Sequence, residues 1–97
     1  MQLSDQKIKI LHEYFRNKPV LKAYLFGSQA RNEASINSDI DILLELDYSQ
    51  KIGLLFVQMK IDLENLLNNK VDLLTEKGIS KYIKPTVDGE KKLIYVR

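Results

Sequence analysis

The sequence predicts an α+β domain, in which helices flank a small mixed β-sheet of three to four strands. Apolar residues recur at helical spacing in two stretches, residues 4–17 and 52–69. Three other stretches have the composition and period of strands: residues 20–26, 39–47 and 70–76. At 97 residues, the whole chain has the length of one domain with a modest core, so we expect a single domain over residues 1–97.

The composition argues against several classes of function. The chain has 15 basic and 13 acidic residues, a net charge of +2 and no long basic run, so we expect no direct nucleic-acid binding. No apolar run approaches the roughly 18 residues of a membrane span, so we expect no membrane association. The absence of cysteine excludes disulfides and thiolate metal sites and fits a cytoplasmic protein.

The first helix is predicted over residues 4–17, with Ser4 as its cap and Pro19 beyond its end. Its apolar stripe consists of Ile8, Ile10, Leu11, Tyr14 and Phe15. The only histidine, His12, lies among charged residues on the polar side. We therefore expect a solvated histidine that is neither a base nor a metal ligand.

The first strand, residues 20–26, continues directly into Gly27-Ser28 and a short helical stretch over residues 28–33. This arrangement can bind phosphate, because glycine allows close approach of the backbone, the serine hydroxyl can donate and free N–H groups point out of a helix start. Arg31 follows Ser28 by three residues and can add a cation on the same face. Taken alone, the pattern also describes an ordinary strand-to-helix turn.

The second strand, residues 39–47, begins with a pair of aspartates. Asp39 and Asp41 point the same way because side chains alternate along a strand, while the other register is wholly apolar. At a separation of about 6 Å, two such carboxylates repel each other by about 0.7 kcal/mol in water and by about 3 kcal/mol at an effective dielectric near 20. A divalent cation would reverse the sign of this term, and magnesium prefers carboxylate oxygens. The alternative is a solvated strand end that carries two ordinary acids.

The long helix over residues 52–69 has more than one apolar stripe. Its core stripe consists of Ile52, Leu55, Phe56, Met59, Leu63, Leu66 and Leu67. A second stripe on nearly the opposite side consists of Leu54, Val57 and Ile61. This second stripe is either buried under the C-terminal segment or exposed as a docking surface for a partner or a second copy.

The third strand, residues 70–76, places Asp72 on the face opposite Val71 and Leu73. If this strand lies beside the second, Asp72 can approach the aspartate pair and complete a site for one or two magnesium ions. In the remaining tail, we expect helical turns interrupted near Pro85, with Gly89 a poor helix residue. Residues 93–96 form either a final strand or a covering segment.

Three segments together resemble the nucleotidyltransferase superfamily that includes DNA polymerase beta. They are residues 26–31 (FGSQAR), 38–43 (SDIDIL) and 71–75 (VDLLT). Within that superfamily, the order and spacing of the elements are most similar to the minimal nucleotidyltransferases, MntA-like MNT antitoxins that are often paired with a HEPN-domain protein. Each segment alone is weak evidence, whereas the three in this order are specific.

The resemblance implies a nucleotidyltransferase fold and assigns roles to the conserved motif positions of the family. Asp39 and Asp41 would bind magnesium, Asp72 would be the third carboxylate, and Gly27 and Ser28 would hold the β- and γ-phosphates of ATP. The implied activity is transfer of AMP to a tyrosine of a HEPN ribonuclease toxin, which the protein blocks as an antitoxin. Asn32 replaces the usual glycine after Ala-Arg, and since asparagine tolerates positive φ, we expect the turn to survive.

Two other functions remain open at the level of sequence. The protein could neutralise its partner by binding alone, through the second stripe of the long helix. Alternatively, it could act on a small molecule and build the acceptor pocket across a homodimer. Nucleotide preference, the acceptor group and the oligomeric state are not encoded in any of these patterns.

Overall fold

The computed structural model describes residues 3–35 and 38–97 and shows the α+β architecture that the sequence predicts. The helices are α1 (Asp5–Phe15), α2 (Gly27–Arg31), α3 (Leu55–Leu67) and α4 (Lys84–Glu90). The strands are β1 (Val20–Phe26), β2 (Ile40–Leu46), β3 (Val71–Thr75) and β4 (Lys92–Val96). Strand β1 has the predicted bounds, and α1, β2, α3 and β3 are shorter than predicted by one to three residues at each end. Helix α2 and strand β4 each begin one residue earlier than predicted.

The four strands form one mixed sheet in the order β3-β2-β1-β4. Strand β1 is antiparallel to both of its neighbours, β2 and β4, whereas β2 and β3 are parallel. Parallel neighbours require a crossover connection, and α3 provides it. As a result, the C-terminal end of β1 lies at the same edge of the sheet as the N-terminal ends of β2 and β3.

The core lies between one face of the sheet and the helices α1 and α3. Its fully buried side chains include Leu11, Phe15, Val20, Leu25, Ile40, Ile42, Leu44, Met59, Leu63 and Val71. On the opposite face of β2, Leu43 is only 2% exposed, although its register neighbours are Asp41 and Glu45. Side chains of β2 are therefore buried on both faces of the sheet.

Helix α1 begins as predicted, because the Ser4 Oγ accepts a hydrogen bond from the Lys7 N–H at 3.2 Å. His12 is exposed, and its ring also meets the ring of Tyr95 in β4 edge to face, with centroids 5.5 Å apart. This aromatic contact was not predicted. The hydroxyl of Tyr14 donates to the Asp62 carboxylate at 2.6 Å and so joins α1 to α3.

The C-terminal segment differs from the expected interrupted helix. Pro85 lies in the first turn of α4, where its missing N–H costs no hydrogen bond, and so it does not interrupt the helix. Gly89 is inside the same helix, in spite of its low helix propensity. Residues 92–96 form strand β4, which pairs with β1 and does not merely cover the core. None of the helices formed by residues 3–35 and 38–97 combines the length and apolar character that crossing a membrane requires.

Candidate active site

The sheet brings the predicted motifs together at one edge. Phe26, the last residue of β1, is the register partner of Asp41 in β2, and Asp41 is in turn the register partner of Asp72 in β3. Gly27 follows Phe26 directly, so the glycine turn and the two aspartates lie side by side. The sequence places Asp72 near the aspartate pair only if β3 lies beside β2. The structure pairs these two strands, in parallel, and so places Asp72 next to Asp41.

Gly27 packs directly against the carboxylate of Asp41. Its φ is +70°, a region that side chains other than glycine rarely adopt. A Cβ atom added at this position would overlap the Oδ2 atom of Asp41. Only glycine therefore allows the backbone of the turn and this carboxylate to approach so closely.

Asp41 and Asp72 also interact through their charges and a hydrogen bond. Burial raises the pKa of Asp41 from 3.8 to about 6, helped by the charge of Asp72, a hydrogen bond to Asp72 and the charge of Asp39, while Arg31 opposes the shift. The carboxylates thus repel each other at neutral pH and favour one bound proton when the pH falls. A bound cation would offset this repulsion.

Asp39 lies just before β2 and half-buried, close enough for its charge to act on Asp41. In residues 3–35 and 38–97, no group of three acidic, histidine or cysteine side chains is gathered as a metal-binding cluster. The structure therefore brings Asp41 and Asp72 into contact and leaves Asp39 beside them as a neighbour.

Helix α2 carries the remaining predicted nucleotide-binding residues. Ser28 is half-buried in the first turn, and Arg31 is exposed at the end of the helix. Asn32 ends α2 in the left-handed conformation with φ 60°, which confirms that asparagine supports this turn. The Glu33 N–H then donates to the Ser28 carbonyl at 2.9 Å and closes the turn.

Sequence reasoning missed Glu90, the last residue of α4. One carboxylate oxygen of Glu90 accepts the Gly27 N–H at 2.9 Å, and the other accepts from the Arg31 guanidinium at 2.9 Å. Despite partial burial, the hydrogen bonds from Arg31 and Gly27 hold the pKa of Glu90 below its ordinary value. No local pattern connects residues 63 positions apart, so only the packing of α4 reveals this contact.

The second apolar stripe of α3 is exposed. Leu54, Val57 and Ile61 are 85%, 55% and 47% exposed, respectively. The alternative that the C-terminal segment buries them is wrong, because that segment adds β4 to the far edge of the sheet, beside β1.

Comparison with known proteins agrees with this geometry. The family model described as "Polymerase beta, Nucleotidyltransferase" matches residues 7–97. A Methanocaldococcus jannaschii protein named "Putative protein adenylyltransferase MJ0126" is 41% identical over 90 residues, which cover 91% of this chain and 85% of that protein.

Two solved structures share the fold. A toxin-antitoxin crystallised with AMP-PNP matches 98% of this chain and 75% of its own, with a TM-score of 0.75 and 25% identity. The MNT antitoxin bound to a tri-AMPylated Shewanella oneidensis HEPN toxin matches 100% of this chain and 74% of its own, with a TM-score of 0.73 and 20% identity, a likeness in fold alone.

The α+β fold and the glycine turn beside paired aspartates define a nucleotidyltransferase of the minimal type. The chain belongs to the polymerase beta nucleotidyltransferase family.

Proposed function

We propose that this protein is a magnesium-dependent adenylyltransferase that transfers AMP from ATP to a hydroxyl group, a tyrosine, of a cognate HEPN toxin and thereby acts as its antitoxin. The observation that carries the proposal is the contact of the Gly27 turn with Asp41, which pairs with Asp72 across parallel strands. The adenylyltransferase relative and the structurally similar toxin-antitoxin complexes support it. We place the activity in the cytoplasm, which the absence of cysteine fits.

The residues of the site fit a magnesium ion. Their donors are carboxylate oxygens, and the raised pKa of Asp41 reflects burial and repulsion that a cation would offset. Asp39 and Asp41 would hold the ion, with Asp72 as the third carboxylate. When bound, magnesium neutralises the charge that develops on the transferring phosphoryl group.

The chain's own residues position the reactants. The Gly27 turn, the Ser28 hydroxyl and the Arg31 guanidinium would bind the β- and γ-phosphates and so orient the α-phosphorus. The attacking tyrosine oxygen forms a bond to that phosphorus, the bond to the bridging oxygen breaks, and pyrophosphate leaves. Asp72, the more exposed of the register partners, would accept the proton that the tyrosine hydroxyl releases.

The small size of the chain supports a macromolecular acceptor. The four strands and four helices of residues 3–35 and 38–97 supply the carboxylates and the glycine turn of the site described above. A partner protein that brings its own hydroxyl group to Asp72 would complete the reaction.

Intact-mass analysis of the HEPN partner tests the proposal. We expect incubation with this protein, magnesium and ATP to add the mass of one or more AMP groups to the partner, and peptide mapping to locate them on tyrosine. Omitting magnesium should abolish the added mass. A stable complex whose partner gains no mass would contradict the transfer reaction.

A second candidate function, inhibition by binding alone, is favoured by the exposed stripe of Leu54, Val57 and Ile61. If this stripe is the interface, Ile61→Asp should weaken binding to the HEPN partner at least tenfold, because the substitution places a charge in a desolvated contact. Leu66→Asp is the matched control. The prediction that Leu66 belongs to the core stripe is wrong, because its side chain is 47% exposed, as that of Ile61 is, on another side of α3. Calorimetric titration distinguishes the two variants, and equal affinities would remove the stripe as the interface.

The binding function also makes a prediction about toxin inhibition. An Asp41 variant that inhibits the toxin fully would favour binding over chemistry. A small-molecule transferase that completes its pocket across a homodimer is the remaining alternative, and an active monomer would exclude it.

A further inference from the structure

Glu90 connects the C-terminal helix to the glycine turn through both of its carboxylate oxygens. Its side chain is 19% exposed, and its two partners, the Gly27 N–H and Arg31, lie at opposite ends of α2. A single carboxylate therefore spans this short helix and holds both of its ends.

The position of Gly27 determines the position of Asp41, because no atom larger than hydrogen fits between the Gly27 Cα and the Asp41 carboxylate. Any displacement of the turn would move this carboxylate or leave it unsupported. Arg31 is likewise held by Glu90 at 2.9 Å and by Glu33 at 3.3 Å, so its guanidinium is oriented before any ligand arrives.

We propose that Glu90 is a positioning residue for the transfer reaction, which orients the Gly27 turn against Asp41 and orients Arg31 toward the triphosphate. This inference rests on the proposed function. Glu90 itself does not touch the reacting atoms. It acts through Gly27 and Arg31, which α4 reaches only because it packs beside α2 in the folded chain.

The same helix provides a matched control. Asp88 lies two residues before Glu90, carries the same charge and is 41% exposed. It pairs with Lys84 at 3.0 Å and with Lys91 at 3.0 Å, both in the same segment, and neither contact reaches the site. Replacing Asp88 therefore removes a charge from α4 without releasing the glycine turn.

The experiment compares Glu90→Ala, Glu90→Gln and Asp88→Asn in magnesium-ATP titrations and in AMP transfer to the HEPN partner. Loss of a hydrogen bond to a charged group weakens an interaction about 10- to 100-fold, so we expect Glu90→Ala to lose about that factor in kcat/KM, with a raised KM for ATP. Glu90→Gln should recover most of the loss, since its amide oxygen can still accept the Gly27 N–H. Asp88→Asn should resemble the unmodified protein.

Several outcomes would overturn the inference. If Glu90→Ala binds ATP more tightly, Glu90 competes with phosphate and does not position the site. If Glu90→Ala and Asp88→Asn have the same kcat/KM while the unmodified protein transfers AMP, Glu90 has no role in the reaction and the proposed function stands. If the unmodified protein binds ATP with an affinity that depends on Glu90 but transfers nothing, positioning is supported and the proposed reaction fails. If it binds no ATP, both fail.

Discussion

Asp41→Asn is expected to abolish AMP transfer and, at the same time, to stabilise the protein when no metal is bound. Asparagine has the shape of aspartate but lacks the charge that would bind magnesium, so we expect transfer to fall by about three orders of magnitude, the scale on which one essential electrostatic group acts. Intact-mass analysis of the partner over a time course measures this loss.

The gain in stability follows from the pKa of Asp41, which folding raises from 3.8 to about 6. A raised pKa in an acid means that the ionised form is disfavoured in the folded state, so the cost is present above pH 6 and disappears below about pH 4. A shift of this size corresponds to roughly 3 kcal/mol, which solvent screening of the half-exposed site reduces to about 1 kcal/mol. Urea unfolding of metal-free protein at pH 7.5 and pH 4 measures the difference.

Glu45→Gln is the control for this variant. Glu45 lies on the same strand and in the same register as Asp41 but opposite Lys22, away from the glycine turn. The Glu45→Gln protein should transfer AMP normally. If Asp41→Asn still transfers AMP, Asp41 is not needed for the reaction. If Asp41→Asn is less stable than the unmodified protein, the proposed repulsion between the carboxylates is wrong.

Gly27→Ala should reduce AMP transfer at least 100-fold, although the protein remains folded. The new Cβ would overlap Asp41 Oδ2, and because that oxygen ends a short side chain, the carboxylate can rotate away from the site. The backbone strain at φ +70° adds about 1–2 kcal/mol of destabilisation. Transfer assays and urea unfolding together separate the two effects.

Gly53→Ala is the matched control for backbone strain. Gly53 also has a positive φ, +45°, but no atom lies within 4 Å of a Cβ added there. Gly53→Ala should lose about as much stability as Gly27→Ala and keep full activity. If both variants lose the same small fraction of activity, contact between Gly27 and Asp41 is not needed for the reaction.

Local patterns were sufficient for much of this fold. Strand β1 has the bounds that its composition predicts, and Ser4 caps α1 as expected, because alternation and capping depend on neighbours in the sequence. A glycine turn after a strand and aspartates two residues apart are also recognisable without a structure, but only their combination with Asp72 predicts a site. Asn32 likewise adopts the left-handed conformation, because asparagine tolerates a positive φ.

The sequence by itself thus determined the α+β class and the order of the elements from α1 to β3. Only the tertiary structure decided that β2 and β3 are parallel neighbours, so that Asp41 meets Asp72, and that Glu90 reaches Gly27. The physical reason is separation along the chain: register and helix packing arise from burying apolar surface between distant segments, which no local period encodes.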